Sequence, residues 1–399
     1  MARNRIFKSR PAPFANRDDV QVKDGKIYGP LGLFNPTRAR FARVVTADEA
    51  GQTPASQVQY EWRSRDNRKG RHALIIPAGA TGDHLPRPTS RPSAVLQGIG
   101  RMFTTFPWWD VSFLVAFFFS VGCAIFIVCG LFYWLPLVAP SSEFPDEVAT
   151  AGGVTSFIGG TLFQIGAIFL VIEAVNENQT GCFGWELQRV LSKHGSKSES
   201  ASLQYRPEKD SCQHSQACHQ GLLTATPGSK VSDARVHRKW TWWPTWHELR
   251  THYFHEIGFV SSFVEFVGAT IFWVNTILSL PGAFNHLSQG VLWGLYWLTY
   301  LVGGVFFIIA SGLYLLETQP NWYTPAPHLL GWHIGFWNMI GSVGWTLAAS
   351  LGYCNLSGCE YQSDLTLIWA SVAFLIGSLL LWYEALNKYP VERERAHKS

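Results

Sequence analysis

Histidines and a glutamate cluster just before one of the apolar segments of the chain. The cluster reads Trp246-His-Glu-Leu-Arg-Thr-His-Tyr-Phe-His-Glu256. Thr245 and Glu248 have capping-box spacing, which predicts a helix start there. On such a helix His252 and His255 share a face, with Glu256 nearby as a third metal ligand. The competing interpretation is an amphipathic interfacial segment, because membrane di-iron enzymes need several histidine boxes and this chain has one.

Two other sets of ligand-type residues bear on a cofactor. A haem held between helices needs opposed histidines at similar depth, and His255 with His333 is the pair that fits. Cys212-Gln-His-Ser-Gln-Ala-Cys-His219 offers thiol and imidazole ligands, but its polar neighbours are typical of a disordered segment. The sequence therefore leaves the cofactor unknown.

Polar residues inside apolar segments form the next candidate site. Glu265 lies eight residues beyond Ile257, about 12 Å into a helix that starts there. An ionised carboxylate at that depth costs about 2.5 to 3.5 kcal/mol, so it needs a partner or a watery cavity. The alternatives are a functional site, a buried structural hydrogen bond, or a shallower helix start. Asn275 and Asn338 are the other polar candidates, and they favour hydrogen bonds between helices.

Two cysteines and a glycosylation sequon follow a later apolar segment. Cys354 and Cys359 bracket a glycine-containing turn, and an oxidising lumen favours a disulfide between them. Asn355-Leu-Ser357 makes Asn355 a glycosylation candidate close to the membrane. Both features are expected on the non-cytosolic side.

Apolar helices must position these residues. Only 15% of the 399 residues are charged, against roughly 25% in soluble domains, which excludes a soluble protein. A crossing needs roughly 20 apolar residues. Six segments qualify, namely 111–138, 154–176, 257–281, 291–316, 332–354 and 364–386. The predicted fold is all-α, a polytopic membrane protein with six transmembrane helices.

The second, fourth and sixth of these helices share a residue pattern. Each ends in a glutamate, with a phenylalanine ten residues before it and small residues seven and fourteen residues before it. The glutamates are Glu173, Glu317 and Glu384. The pattern predicts three tandem helical hairpins packed through small residues. The glutamates are interpreted either as polar stops at the inner interface, paired with Lys or Arg, or as a ring on the cytosolic face.

This pattern resembles the YrhK-like two-helix membrane module, and the whole chain resembles fungal multi-pass integral membrane proteins of unassigned function. The resemblance covers the helical hairpins and implies a fold without an activity. Two crossings per unit give the hairpins one orientation, unlike the inverted repeats of many secondary transporters.

Basic residues fall on one side of the predicted membrane. Eighteen of the 32 Lys and Arg precede residue 110, ten lie between 178 and 256, and four follow 386. Since basic flanks stay in the cytosol, both termini are predicted to be cytosolic, in a secretory-pathway or plasma membrane rather than a mitochondrial one. The predicted units are a cytosolic arm (1–109), hairpins (110–177, 257–317 and 332–386), a polar cytosolic segment ending in an interfacial Trp/His-rich helix (178–256), a cytosolic link (318–331) and a cytosolic tail (387–399).

The arm is predicted to be mostly irregular. Gly70–Pro77 and Phe41–Val45 fit short strands or extended coil. The arm carries an excess of basic residues, which favours anionic lipid headgroups as its partner, and nucleic acid is not expected.

The sequence contains no phosphate loop, nucleophile elbow, dinucleotide fingerprint or paired-carboxylate motif, which disfavours an enzyme. The leading hypothesis is a non-catalytic scaffold, sensor or accessory subunit in the lipid bilayer, whose cytosolic segments meet protein partners or lipid. One alternative is a transporter or channel that uses Glu265 in a membrane-embedded polar site. The other is a metal- or haem-dependent membrane oxidoreductase.

Overall fold

The computed structural model describes residues 20–43, 59–76, 87–184, 240–354 and 356–394. Its strands are β1 (Val20–Tyr28), β2 (Arg38–Arg43), β3 (Gln59–Arg63), β4 (Ala73–Ile76) and β5 (Val391–Arg393). Outside the long apolar helices lie α1 (Ser64–Arg68), α2 (Pro92–Thr104) and α5 (Trp246–Thr251). Short helical turns form at Pro281–Phe284 and Gln289–Val291, and π-helical turns at Glu147–Gly152 and Leu292–Trp297. The long apolar helices are α3 (Val111–Val138), α4 (Gly153–Val175), α6 (Ile257–Leu278), α7 (Leu298–Thr318), α8 (Leu330–Leu351) and α9 (Ser357–Leu386).

Five helical stretches of the described chain are long and apolar enough to cross a membrane. They are Val111–Val138, Glu147–Val175, Ile257–Leu278, Gln289–Thr318 and Ser357–Leu386. The fold is mostly helical, as an integral membrane protein requires. The helix α8, predicted from the sequence as a further span, forms over 22 residues but falls outside this set. Its apolar run is interrupted by polar side chains such as His333, Asn338 and Ser342.

The six long helices pack as a closed ring. Each contacts the next one along the chain, and α9 returns to contact α3. Aromatic rings fill the centre: Phe163 lies 5.5 Å from Phe307 and 6.1 Å from Phe374, centroid to centroid. The fully buried Trp345 packs against all three. The interior of the ring is therefore a packed core.

A five-stranded sheet lies at one end of the ring, in the order β1-β2-β3-β4-β5. Strands β1 to β4 are antiparallel neighbours, and β5 pairs parallel to β4 with Leu74 opposite Val391. The expectation of a mostly irregular arm is wrong for its described residues. The last strand, β5, follows the last helix, docks on β4 and buries Ile76 against Val391.

The helix α2 is a second element that the sequence analysis missed. Its apolar residues recur at helical spacing, and Leu96 and Phe103 are 68% and 76% exposed. Gly98 is its buried residue, and it packs so closely on Tyr383 of α9 that an added Cβ would lie 2.5 Å from the ring. This combination is typical of an amphipathic helix lying on a membrane surface.

Candidate functional site: a basic plug on a glutamate ring

The sheet inserts a short basic segment into the ring of helices. This basic plug, residues 64–72, consists of α1 and the turn that leads to β4. Gly70 makes the turn with φ of +64°, a backbone conformation that glycine adopts without strain. The end of the ring that receives the plug is called the sheet end below.

Three glutamates from three helices receive the plug. Arg65 contacts Glu384 through two nitrogens, with Nη2 2.8 Å and Nε 3.2 Å from the carboxylate oxygens. Arg68 Nη2 lies 2.7 Å from Glu317. Lys69 Nζ lies 3.2 Å from Glu173. Because each of these three cations lies closest to a different glutamate, the plug joins α4, α7 and α9.

A fourth cation completes the charge balance. Arg71 Nη1 lies 2.8 Å from Glu384 and 2.8 Å from Asp66. Four cationic groups of the plug thus face four carboxylates. Such mutual neutralisation is what allows charges to remain buried together.

Small residues make room for these side chains. An added Cβ on Gly258, at the start of α6, would lie 2.5 Å from the Glu317 carboxylate. One on Gly331, at the start of α8, would lie 2.6 Å from Arg65. Glu173 and Glu384 are fully buried. The plug is therefore seated inside the helical ring rather than on its surface.

Burial and ion pairing shift the pKa values of the plug's basic side chains in opposite directions. Burial lowers the pKa of Lys69, and the carboxylates of Glu173 and Glu384 offset part of this effect. Burial also acts to lower the pKa of Arg68, but Glu317 and Glu173 outweigh it and hold that pKa above its usual value. Arg68 therefore keeps its positive charge beside the carboxylates of Glu317 and Glu173.

The three repeated glutamates predicted from the sequence are thus brought together around the plug. No family model, curated protein or solved structure matches the chain. The function must therefore be argued from this site. Pairing with Lys or Arg was one of the two interpretations of these glutamates, but the residues that supply the charge were not identified. Arg65, Arg68 and Lys69 have the i, i+3, i+4 spacing of one helix face.

Glu265 lies one layer deeper in the same ring. It is 8% exposed and lines a cavity of about 30 Å³ with Tyr314 and Asn338. Arg68 and Lys69 of the plug line the same cavity. A water molecule needs roughly 10–15 Å³ on this measure, so the cavity has room for one or two. Glu265 faces the bundle interior and not lipid.

The other predicted intramembrane polar residues have separate positions. Asn275 Nδ2 donates to the Tyr296 carbonyl at 3.0 Å. Tyr296 belongs to the π-helical turn Leu292–Trp297, so this bond joins α6 to the irregular start of the next span. Asn338 lies against Gly377 of α9, where an added Cβ would come within 2.3 Å of its Oδ1. Asn275 thus connects helices, while Asn338 also borders the Glu265 cavity.

The predicted metal ligands do not come together. The capping box of Thr245 and Glu248 is present, but α5 ends at Thr251 and His252 leaves the helical conformation. Glu256 accepts a hydrogen bond from Asn35 in the β1–β2 loop, and Asn35 N donates to the His255 carbonyl at 2.8 Å. Among the described residues, no group of three His, Cys, Asp or Glu side chains is placed to hold a metal ion.

The remaining candidates lie away from the plug or outside the described residues. His333 Nε2 lies 2.7 Å from the Pro327 carbonyl oxygen. Cys354 and Cys359 form a disulfide. The sequon residue Asn355 and the segment from Cys212 to His219 fall outside the residues that the structure describes.

A second charge cluster holds the sheet together next to the plug. Glu61 is 1% exposed and contacts Arg38, while Arg63 Nη2 lies 2.7 Å away. Arg63 also lies 2.6 Å from Glu392 in β5, so this cluster links the two distant parts of the sheet. Burial alone would raise the pKa of Glu61, but Arg63 and Arg38 outweigh it and lower the pKa to about 2.

The depressed pKa of Glu61 predicts acid sensitivity of the sheet. Its contribution to stability is complete above the unfolded pKa near 4.5 and is lost as pH falls towards about 2. We expect Glu61→Gln to lower the thermal midpoint at pH 7, with the difference from wild type shrinking as pH falls through this window. Thermal unfolding in detergent over a pH series measures it. A difference that stays constant from pH 7 to pH 2.5 would contradict the assignment.

Proposed function

We propose that the protein is a non-catalytic membrane scaffold or sensor, in which the sheet and the helical ring move as one unit. The observation that carries this proposal is the buried plug, whose cations bind glutamates on α4, α7 and α9. Breaking a buried ion pair by removing one partner costs about 3–5 kcal/mol. Displacement of the sheet therefore disturbs three helices together, which is how a signal would pass between them.

Six membrane crossings are part of this proposal. Strands β1 to β4 precede the first span and β5 follows the last, yet all five belong to one sheet. A sheet with open edges is not stable across the hydrocarbon layer. Strands on both sides of the helices in the sequence therefore support an even number of crossings. Five candidate spans give an odd number, so a sixth span is needed. We assign it to α8, which packs between α7 and α9. The distribution of Lys and Arg favours a cytosolic sheet end, in a secretory-pathway or plasma membrane.

Three tandem hairpins complete the proposed architecture. An added Cβ on Gly122 would lie 3.3 Å from the Gly159 carbonyl, and one on Gly268 would lie 3.3 Å from that of Gly303. An added Cβ on Gly344 would lie 2.5 Å from the Cβ of Ala370. Equivalent positions thus meet within each pair of helices, which supports an internal repeat of the YrhK-like kind.

Proximity labelling tests the scaffold function. A labelling enzyme is fused to the C-terminus of the full chain, and wild type is compared with Arg65→Ala and with Glu360→Gln, an exposed control at the other end of α9. We expect a defined set of neighbours in wild type and in the control, and loss of that set in Arg65→Ala at equal abundance in the membrane. An unchanged set in Arg65→Ala would reject the proposal.

A transporter or channel is the second candidate, favoured by the Glu265 cavity directly beneath the plug. Here the plug would act as the gate, and Glu265 as the group that carries a proton or cation. Proton flux into proteoliposomes separates the two functions. Flux that exceeds that of empty vesicles and disappears in Glu265→Gln would favour transport, whereas the scaffold predicts none.

A further inference from the structure

A large cavity opens where α2 lies against the sheet end of α9. Its volume is about 1510 Å³, above the roughly 300–1,000 Å³ of a typical small-molecule site. It is separate from the Glu265 cavity, and the wall on the plug side is formed by Arg71 and His72.

Apolar and charged side chains both line this cavity. Ile376, Leu379 and Leu380 of α9 and Val95 and Met102 of α2 belong to its apolar lining. These α9 residues belong to a membrane-spanning stretch, and Leu379 is 40% exposed. The apolar lining is therefore continuous with the surface that the bilayer would cover.

The charged lining of the cavity has an excess of positive charge. It contains six Arg or Lys residues and four Asp or Glu residues. Several of the cations are already neutralised, as Lys388 is by Asp110 and Arg71 is by Glu384. Arg101 of α2 is different, since within the described residues it has no carboxylate partner and lies 3.5 Å from Asn387 Oδ1.

From these features we infer that the cavity binds one anionic phospholipid of the surrounding bilayer, with its phosphate on Arg101 and its acyl chains along Ile376 and Leu379. A guanidinium pairs well with phosphate oxygens. The net positive lining favours an anionic headgroup over a zwitterionic one. The exposed apolar side chains of α2 place Arg101 at the headgroup level. This site goes beyond the scaffold function and does not depend on it.

Native mass spectrometry of the detergent-purified full chain tests the site. The protein is incubated with phosphatidylserine or with phosphatidylcholine. We expect one phosphatidylserine to be retained per chain, and Arg101→Gln to weaken its retention about tenfold. Arg91→Gln, which removes an exposed cation just before α2 that does not line the cavity, is the matched control and should retain lipid like wild type.

A second variant tests the apolar lining without changing charge. Leu379→Trp fills the space assigned to an acyl chain and should also reduce retention. Equal retention of both lipids, or equal losses in Arg101→Gln and Arg91→Gln, would overturn the inference in favour of general surface attraction. Inorganic phosphate that displaces the lipid and stabilises the protein as well as the lipid does would instead assign the cavity to a soluble anion.

Discussion

Glu384→Ala is expected to destabilise the protein by about 3–5 kcal/mol. The substitution leaves Arg65 without its two-point partner and removes one of the two carboxylates that contact Arg71. Both guanidinium groups would remain buried, where an uncompensated charge is costly. Thermal unfolding of the detergent-purified protein, followed by intrinsic fluorescence, measures the loss.

Two further variants test whether the loss of stability in Glu384→Ala comes from the buried ion pair. Glu360→Ala, on the same helix but exposed, should change the thermal midpoint little. The double variant Arg65→Met/Glu384→Met removes both partners, and Arg71 keeps Asp66. Because replacing a whole buried pair by apolar groups costs far less than breaking it, the double variant should be more stable than Glu384→Ala. A double variant that is less stable would show that the pair does not act as a unit.

The membrane helices were predictable because their signal is local. The uncharged run that begins after Asp110 forms α3 from Val111 to Val138, which are the predicted bounds. The capping box at Thr245 also lies within four residues and forms as predicted. The fifth apolar segment forms α8, although its polar side chains place it outside the five candidate spans.

The sheet could not be predicted in the same way, because its pairing is long-range. Strand β4 has four residues, and its partner β5 lies more than 300 residues later in the chain. Nothing local to Ala73–Ile76 distinguishes a paired strand from extended coil. The helix α2 is different, since Val95, Leu96, Ile99, Met102 and Phe103 follow helical spacing and were readable from the sequence.

The candidate site also combines features that local sequence predicts with features that depend on long-range contacts. The spacing of Glu173, Glu317 and Glu384 relative to their phenylalanines was readable, and it predicted that they share a level in the membrane. Their partners Arg65, Arg68 and Lys69 have helical spacing, but a helix of five residues has no stability of its own, so this spacing alone does not predict the plug. The plug exists because the glutamates bind it, so its conformation follows from tertiary contacts. The metal set of His252, His255 and Glu256 depended on a continuous helix, but α5 ends at Thr251, before the first of these residues.

Trp345→Ala is expected to cost about 3–5 kcal/mol, the second large effect. The indole is fully buried and lies 4.7 Å from the Phe374 ring and 4.8 Å from the Phe272 ring. Its Nε1 donates to Ser371 Oγ at 3.1 Å. Transmembrane helices associate through such packing rather than through water exclusion, so the cavity left behind removes contacts to several helices at once.

Matched variants separate packing from hydrogen bonding in this core. Trp322→Ala removes an indole that is 67% exposed and should have little effect on the thermal midpoint. Ser371→Ala keeps the indole in place and leaves its Nε1 without an acceptor, so it should cost about 1–3 kcal/mol. If Trp345→Ala were no more destabilising than Trp322→Ala, the centre of the ring would not be a packed core. A loosely packed centre would leave room for a pathway through the ring. That outcome would favour the transport function of Glu265 over the scaffold function.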